Sequence, residues 1–285
     1  MKALTKERIK KPLLCGVAFS FILIVPVILM MFATIIGMLV VDENYEVSDN
    51  LIFIFTELGM LSASVIACSF VKKRHGTKLR ETVKVKDFDL AVPIMLMIFG
   101  WSTGEIIDHC TGLILSNFMV VEPNVNEITI ISFISAVICA PIFEELICRF
   151  GWCELARGAY SLPIICIANG IFFSLPHMYN IQGFINVFIG GLCSAYVYCK
   201  TRNILYVIIR HAIHNVFALG FDSLKIIFGE FATYENGFVQ YSWQYLAVNA
   251  VLVIISVIYF VKVFRKKYTE NYFEINRETG LAITE

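Results

Sequence analysis

Long apolar runs separated by short charged clusters dominate this chain from end to end. A helix needs about 20 apolar residues to cross a bilayer. On that measure spans are expected at 13–41, 50–71, 89–107, 127–148, 162–177, 181–199, 203–220 and 243–263, which makes eight transmembrane helices. The segment 162–177 is short and carries Pro163 and Pro176 at its edges, so it is expected as a sunken or broken span. The runs are apolar on every face, as lipid allows, and no amphipathic stripe marks their inner side.

Composition agrees with the pattern. Of 285 residues, 58% are hydrophobic and 16% charged, and the mean hydropathy is +0.74, far from an average soluble domain. The expected fold class is all-α: a polytopic membrane protein with one transmembrane domain over 1–285 and a cytoplasmic tail over about 265–285. Lys and Arg gather on alternate connections, at Lys2 to Lys11, Lys72 to Arg80, Arg157, Lys200 with Arg202, and Lys262 to Lys267. The connections at 42–49 and 122–127 are acidic, so the positive-inside rule sets both termini in the cytoplasm. The first apolar run is about twice as long as that of a signal peptide and is expected to be a retained span. Trp152, Tyr241, Trp243 and Tyr245 fall at span ends, where amphipathic aromatics settle. A formal net charge of zero gives no basic surface for nucleic acid, leaving the lipid bilayer as the first partner. The nine cysteines form no CxxC pair and no Cys/His cluster at metal-binding spacing.

The stretch PIFEELICRFGW, 141–152, breaks the apolar pattern with Glu144, Glu145 and Arg149. An ionisable group at mid-bilayer costs about 2.5–3.5 kcal/mol on insertion scales, so it is expected to face a partner or a wet cavity. Glu145 and Arg149 are i,i+4 with the acid first, the favourable order for an intrahelical ion pair. Glu144 points about 100° away from Glu145 and has no local cation. Such a carboxylate suits a general base; a purely structural salt-bridge cluster is the alternative reading. Two further stretches weigh on that choice. FFSLPH sets His177 four residues after Phe173, and RHAIHN sets His211 and Asn215 at i,i+4 on one helix face, with His214 beside them. Three of five histidines thus fall in apolar segments downstream of the paired carboxylates, as an intramembrane active site requires.

Glu144-Glu145-x-x-x-Arg149, Phe173-x-x-x-His177 and His211-x-x-x-Asn215, in that order, resemble the three-motif signature of the CaaX protease and bacteriocin-processing family (CPBP, also called Abi). The resemblance covers a core of about 127–220. The family usually has an aromatic before the arginine and a glycine after it; here Cys148 precedes Arg149 and Phe150-Gly151 follow. The resemblance implies an eight-helix intramembrane endopeptidase in which Glu144 activates water and His177 orients it. His211 and Asn215 would line the opposite wall and donate to the oxyanion, while Glu145, Arg149 and Phe173 support the helix. It also implies either a zinc ion held by His177, His211 and Glu144 or a metal-free glutamate and water mechanism. No HExxH helix is present. The partner would be a peptide or protein substrate, either a prenylated CaaX-like tail or a bacterial peptide or bacteriocin precursor. The short loops are in the style of a bacterial plasma-membrane protein.

A straight helix beginning near Ser161 would lift His177 by about 24 Å, against about 12 Å for His211 above Asn203, at 1.5 Å per residue. A shared chamber therefore needs a deep start, a tilt or a break near Pro176, and a fourth helix continuing to about Arg157. Two other functional classes remain open. Glu57, Glu105, Asp108 and His109 also lie in or near apolar runs, as in an ion-coupled transporter, although Glu105 and His109 at i,i+4 suit a structural pair. A non-catalytic immunity or scaffold protein on the same fold is the third class.

Overall fold

Seven of the expected apolar runs become helices: α1 Tyr45–His75, α2 Ala91–Leu115, α3 Ile130–Ala156, α4 Leu162–His177, α5 Ile181–Thr201, α6 Ile204–Leu219 and α7 Trp243–Lys267. The structure is a computed structural model. It describes residues 45–86, 88–121, 128–177, 181–220, 231–275 and 282–284, with isolated positions between 25 and 36. The expected span 13–41 lies largely outside the described residues. α1, α2, α3, α5 and α7 are long and apolar enough to cross a membrane; α4 and α6 are shorter. The chain is a polytopic membrane protein.

Local chemistry sets the helix starts. At α3, Thr129 Oγ1 accepts from the Ser132 N–H while Ser132 Oγ accepts from the Thr129 N–H, a reciprocal capping box. Asn203 Oδ1 caps α6 through Leu205 N, and Ser242 Oγ caps α7 through Tyr245 N. α3 runs on past Arg149 to Ala156, the extension that the active-site reading needs. α4 closes with a 3-10 turn, Leu175–His177, that contains Pro176.

Two features correct the all-α expectation. β1 (Ala232–Glu235) and β2 (Phe238–Tyr241) form an antiparallel hairpin, and β3 (Glu270–Ile275) pairs antiparallel with β4 (Ala282–Thr284). The hairpin turns at Asn236 and Gly237, φ +52° and +83°, the two left-handed positions of a type I′ turn for which Asn-Gly is the preferred pair. Its tip is pinned to the end of α2, where Asn236 Nδ2 donates to Ser116 O at 2.8 Å. The tail is not a free extension either: Phe273 is fully buried, and Glu274 Oε1 accepts from the Leu162 N–H at 2.6 Å at the start of α4. A carboxylate there satisfies an orphan donor and the positive end of the helix. Trp152 is buried and packs 5.4 Å from Phe172.

Small residues bring the central helices together. A Cβ on Gly170 of α4 would lie 2.9 Å from Phe188 O, and one on Gly191 of α5 would lie 3.2 Å from Gly170 Cα. Close backbone approach of this kind is how helices in lipid gain packing. At the end of α3 a charged knot joins the basic connections. Fully buried Glu154 contacts Arg202 at 2.9 Å and Arg157 at 3.5 Å, and accepts from Tyr198 Oη at 3.1 Å. Both arginines also donate to Thr77 Oγ1 after α1. Arg202 sits in the left-handed region, φ +48°, just after α5, a position that usually favours glycine. Glu154→Ala is expected to destabilise the protein by about 3–5 kcal/mol, because it leaves Arg202 partly buried and unpaired. Adding Arg202→Ala should then do less harm than it does alone. Thermal unfolding midpoints in detergent check both; a Glu154→Ala protein melting like wild type would dismiss the knot.

Candidate active site

The site begins with the backbone of α3. Its hydrogen bonding widens to a π-helical pattern over Ser135–Cys139 and Leu146–Cys153, on either side of the α-helical Ala140–Glu145. Pro141 lacks an N–H and crowds the carbonyl four residues back, which accounts for the first widened turn. Carbonyls in these turns accept side-chain amides from other helices. Ala136 O takes Asn215 Nδ2 of α6 at 2.6 Å, and Cys148 O takes Asn169 Nδ2 of α4 at 2.8 Å. The turns thus fasten α3 to both neighbours and set the direction of the two glutamates between them.

Glu145 is fully buried and bridges two partners. Its Oε2 is 3.0 Å from Arg149 Nε, the expected i,i+4 pair, and its Oε1 is 3.0 Å from His211 Nδ1. Arg149 is also fully buried; its guanidinium lies 4.1 Å over the Phe173 ring, and Nη2 donates to Gly191 O at 3.4 Å. Phe173 in turn stands edge-on to His211, centroids 5.8 Å apart. Residues of all three motifs interlock through this cluster.

Glu144 faces the other way, as the helical offset requires. Its Oε2 lies 4.0 Å from His211 Nε2, and among the described residues it pairs with no Lys or Arg. His211 donates from Nδ1 to the Glu145 carboxylate, so Nε2 is the nitrogen left for chemistry. His177 is engaged in the same sense, Nδ1 donating to Phe173 O at 2.9 Å and Nε2 uncommitted. Glu144, His177, His211, His214 and Asn215 line one cavity of about 620 Å³, within the range of ligand sites. α4 is unbroken from Leu162 to Ser174 and ends in the 3-10 turn Leu175–His177, and His177 still lines the same cavity as His211.

The far wall is acidic. Glu105 and Asp108 of α2 line the same cavity, and the β hairpin closes over it with Tyr234, Val239 and Tyr241. The expected Glu105 to His109 pair does not form. Tyr245 Oη donates to Glu105 Oε2 at 3.2 Å, while His109 Nδ1 accepts from the Tyr241 N–H at 3.0 Å. Each is taken instead by a partner far along the chain, on the hairpin or α7. Asp108 Oδ1 accepts from Asn186 Nδ2 at 2.8 Å. Glu57 stands apart from the cavity lining, its Oε1 accepting from Ser135 Oγ. His214 lies edge-on to Trp101, centroids 5.6 Å apart. Several lining residues were not singled out from the sequence, among them Asn186, Gln182 and Arg210, the last a cation in an apolar run directly before His211.

The sequence of one family, type II CAAX prenyl endopeptidase Rce1-like, matches residues 126–217. That segment, less than half of the chain, is similar to the Rce1-like domain of the CPBP family. It holds all three motifs and the α3 to α6 framework just described. No curated protein and no solved structure matches the chain. The family matched is one of endopeptidases that act on peptide substrates. The expected zinc set of His177, His211 and Glu144 does not gather at metal-holding spacing, and among the described residues no group of three His, Cys, Asp or Glu does so.

Removing Arg149 would strand a fully buried Glu145 beside His211. Arg149→Ala is therefore expected to cost about 3–5 kcal/mol, and Arg149→Lys to recover only part of it, since an ammonium cannot replace a guanidinium stacked on Phe173. The unfolding midpoint in detergent reads the effect, and an undiminished midpoint for Arg149→Ala would show that the cluster does not support the fold.

Proposed function

We propose that this protein is an intramembrane endopeptidase that hydrolyses a peptide bond with a water activated by Glu144. The observation that carries the reading is the 4.0 Å gap between Glu144 Oε2 and His211 Nε2 at the wall of the cavity. It is too long for a direct hydrogen bond. A water 2.8 Å from both atoms would subtend about 90° between them, near the tetrahedral angle that water prefers. Glu144 takes the proton of that water as it attacks the peptide carbonyl, then delivers it to the leaving amine.

His177 Nε2 orients the water from the α4 side. His211 Nε2 exchanges a proton with the reacting groups while Glu145 fixes its tautomer, as a buried carboxylate does for the base of a catalytic triad. Asn215 spends one amide hydrogen on Ala136 O and turns the other toward the carbonyl oxygen as negative charge develops there. Glu145, Arg149 and Phe173 position these groups. The substrate is a peptide with a strongly apolar portion, either a prenylated tail or an apolar bacterial precursor. A second cavity of about 650 Å³, lined by Met97, Phe217, Val248 and Leu252 among others, shares the Trp101 wall with the first and gives an apolar tail room beside the polar chamber.

Purified protein in detergent, incubated with prenylated and unprenylated peptide pools and read by mass spectrometry, tests the proposal. Glu144→Gln is expected to lower hydrolysis by about 10²–10⁴-fold, and Asn215→Ala by about 10²–10³-fold, without lowering the unfolding midpoint of Glu144→Gln. Peptide cleavage that persists in Glu144→Gln would remove the residue from the mechanism, and a wild-type protein that cuts nothing would remove the function. A chelator is expected to leave the rate unchanged; loss of activity that zinc restores would assign the metal instead.

A further inference from the structure

We infer that Glu105 and Asp108 bind a basic side chain of the substrate, so that the protein cuts peptides carrying Lys or Arg within about two to four residues of the scissile bond. The inference rests on the endopeptidase reading above and names the substrate class of that site. Both carboxyls come from α2 and line the catalytic cavity. Glu105 is buried, 7% exposed. Among the described residues neither pairs with a cation. Their partners are Tyr245 Oη, 3.2 Å from Glu105 Oε2, and Asn186 Nδ2, 2.8 Å from Asp108 Oδ1. A carboxylate withdrawn from water with no cation beside it is costly, and a ligand that brings the cation offsets that cost.

The neighbouring amides are set to receive a donor. Asn186 of α5 gives Nδ2 to Asp108, and its Oδ1 is buried with no donor of its own. Gln182, one turn earlier on α5, commits Nε2 to Asp108 O at 2.9 Å and to Thr111 Oγ1 at 3.0 Å, so Oε1 is the group it has left for a ligand. Glu105, Asp108, Asn186 and Gln182 all line the cavity and offer it acceptors. An ammonium or guanidinium, which only donates, is their complement. A further buried group of the cavity also lacks a partner: Arg210 of α6, 6% exposed, has no acceptor on Nε. It stands toward the other end of α2, since a Cβ on Gly100 would lie 2.6 Å from its Nη2. Glu105 and Asp108 follow Gly100 by five and eight residues, about 7.5 and 12 Å along the helix at 1.5 Å per residue. The arginine repels a ligand cation from its own end and leaves it the carboxyl end. Because His211 follows Arg210 on α6, a peptide extended at about 3.3 Å per residue covers that separation in about two to four residues.

The experiment uses one decapeptide pool with fluorescein on the amino end, a single central lysine and no other basic residue, and a portion of the same pool acetylated on that lysine to remove its charge. Binding to the full-length Glu144→Gln protein in detergent is read by anisotropy, and cleavage by wild type is read by mass spectrometry. The lysine pool should bind about tenfold or more tightly than the acetylated pool, as expected for charge-assisted hydrogen bonds. Adding Glu105→Gln and Asp108→Asn together, which keep the shape and remove the acids, should bring the ratio to about one. Each alone should lower it, which keeps the test open if the pair fails to fold. Wild type should cut the lysine pool at bonds about two to four residues from the lysine. Equal binding of the two pools, a ratio that these substitutions leave unchanged, or cuts placed without regard to the lysine overturns the inference. Lysine-selective binding lost in the variants, with no hydrolysis by wild type, upholds the cation site and defeats the endopeptidase reading. Hydrolysis without lysine preference does the reverse.

Discussion

One buried carboxylate organises the molecule. Glu145 has one oxygen on Arg149 and the other on His211, each at 3.0 Å, and neither Glu145 nor Arg149 is exposed. Buried ion pairs contribute little net stability compared with well-packed apolar groups of the same volume. Their consequence here is register. The shared carboxylate fixes α3 against α6, and the guanidinium extends the constraint to α4 through Phe173 and to α5 through Gly191 O. Four helices thereby keep one relative arrangement. Since Glu145 satisfies the cation, the adjacent Glu144 is left to face the chamber with His211 Nε2 4.0 Å from its Oε2.

The backbone supports that division of labour. Two widened turns in α3 present carbonyls to Asn215 and Asn169, so amide contacts repeat what the ion pair does at two further levels. Short π-helical segments cluster at functional sites because they re-aim side chains within an otherwise continuous helix. In α3 they bracket the six residues that end in Glu144 and Glu145. Above the chamber, the Asn-Gly hairpin brings Tyr241 close to α2, where its backbone N–H holds His109. Closing a cavity against bulk water strengthens every electrostatic interaction inside it.

Much of this was legible in the sequence, for reasons that can be named. Hydrophobic run length carries the seven described helices, because lipid imposes that length physically. The i,i+4 rule carries the Glu145 to Arg149 pair and the outward turn of Glu144, since both are properties of one helix. Contacts between helices were not legible. The His211 bond to Glu145 joins residues 66 apart, and helical offsets are silent about it. The Glu105 to His109 pair failed for the same reason: the local rule was sound, but the hairpin and α7 supplied competing partners from far along the chain. The hairpin itself left a signal, an Asn-Gly between ATYE and FVQY, which high overall hydropathy obscured. Arg210 left one too, a cation in an apolar run beside a motif histidine.

The acidic groups that suggested a carrier are arranged differently from a relay. A proton or ion pathway needs carboxylates within reach of one another or joined by water across the membrane. Glu57 is engaged by Ser135 and stands outside the chamber lining. Glu105 and Asp108 lie inside it, held by neutral donors, Tyr245 and Asn186, from two different helices. No line of mutually bonded carboxylates runs from one set to the other among the described residues. Each carboxyl group is held by a side-chain donor from another helix, and not by the other. Glu105 and Asp108 share one cavity with Arg210 and the histidines, and a chamber with acidic and basic groups together is of more use to a site that must orient one peptide than to one that must release an ion on either side.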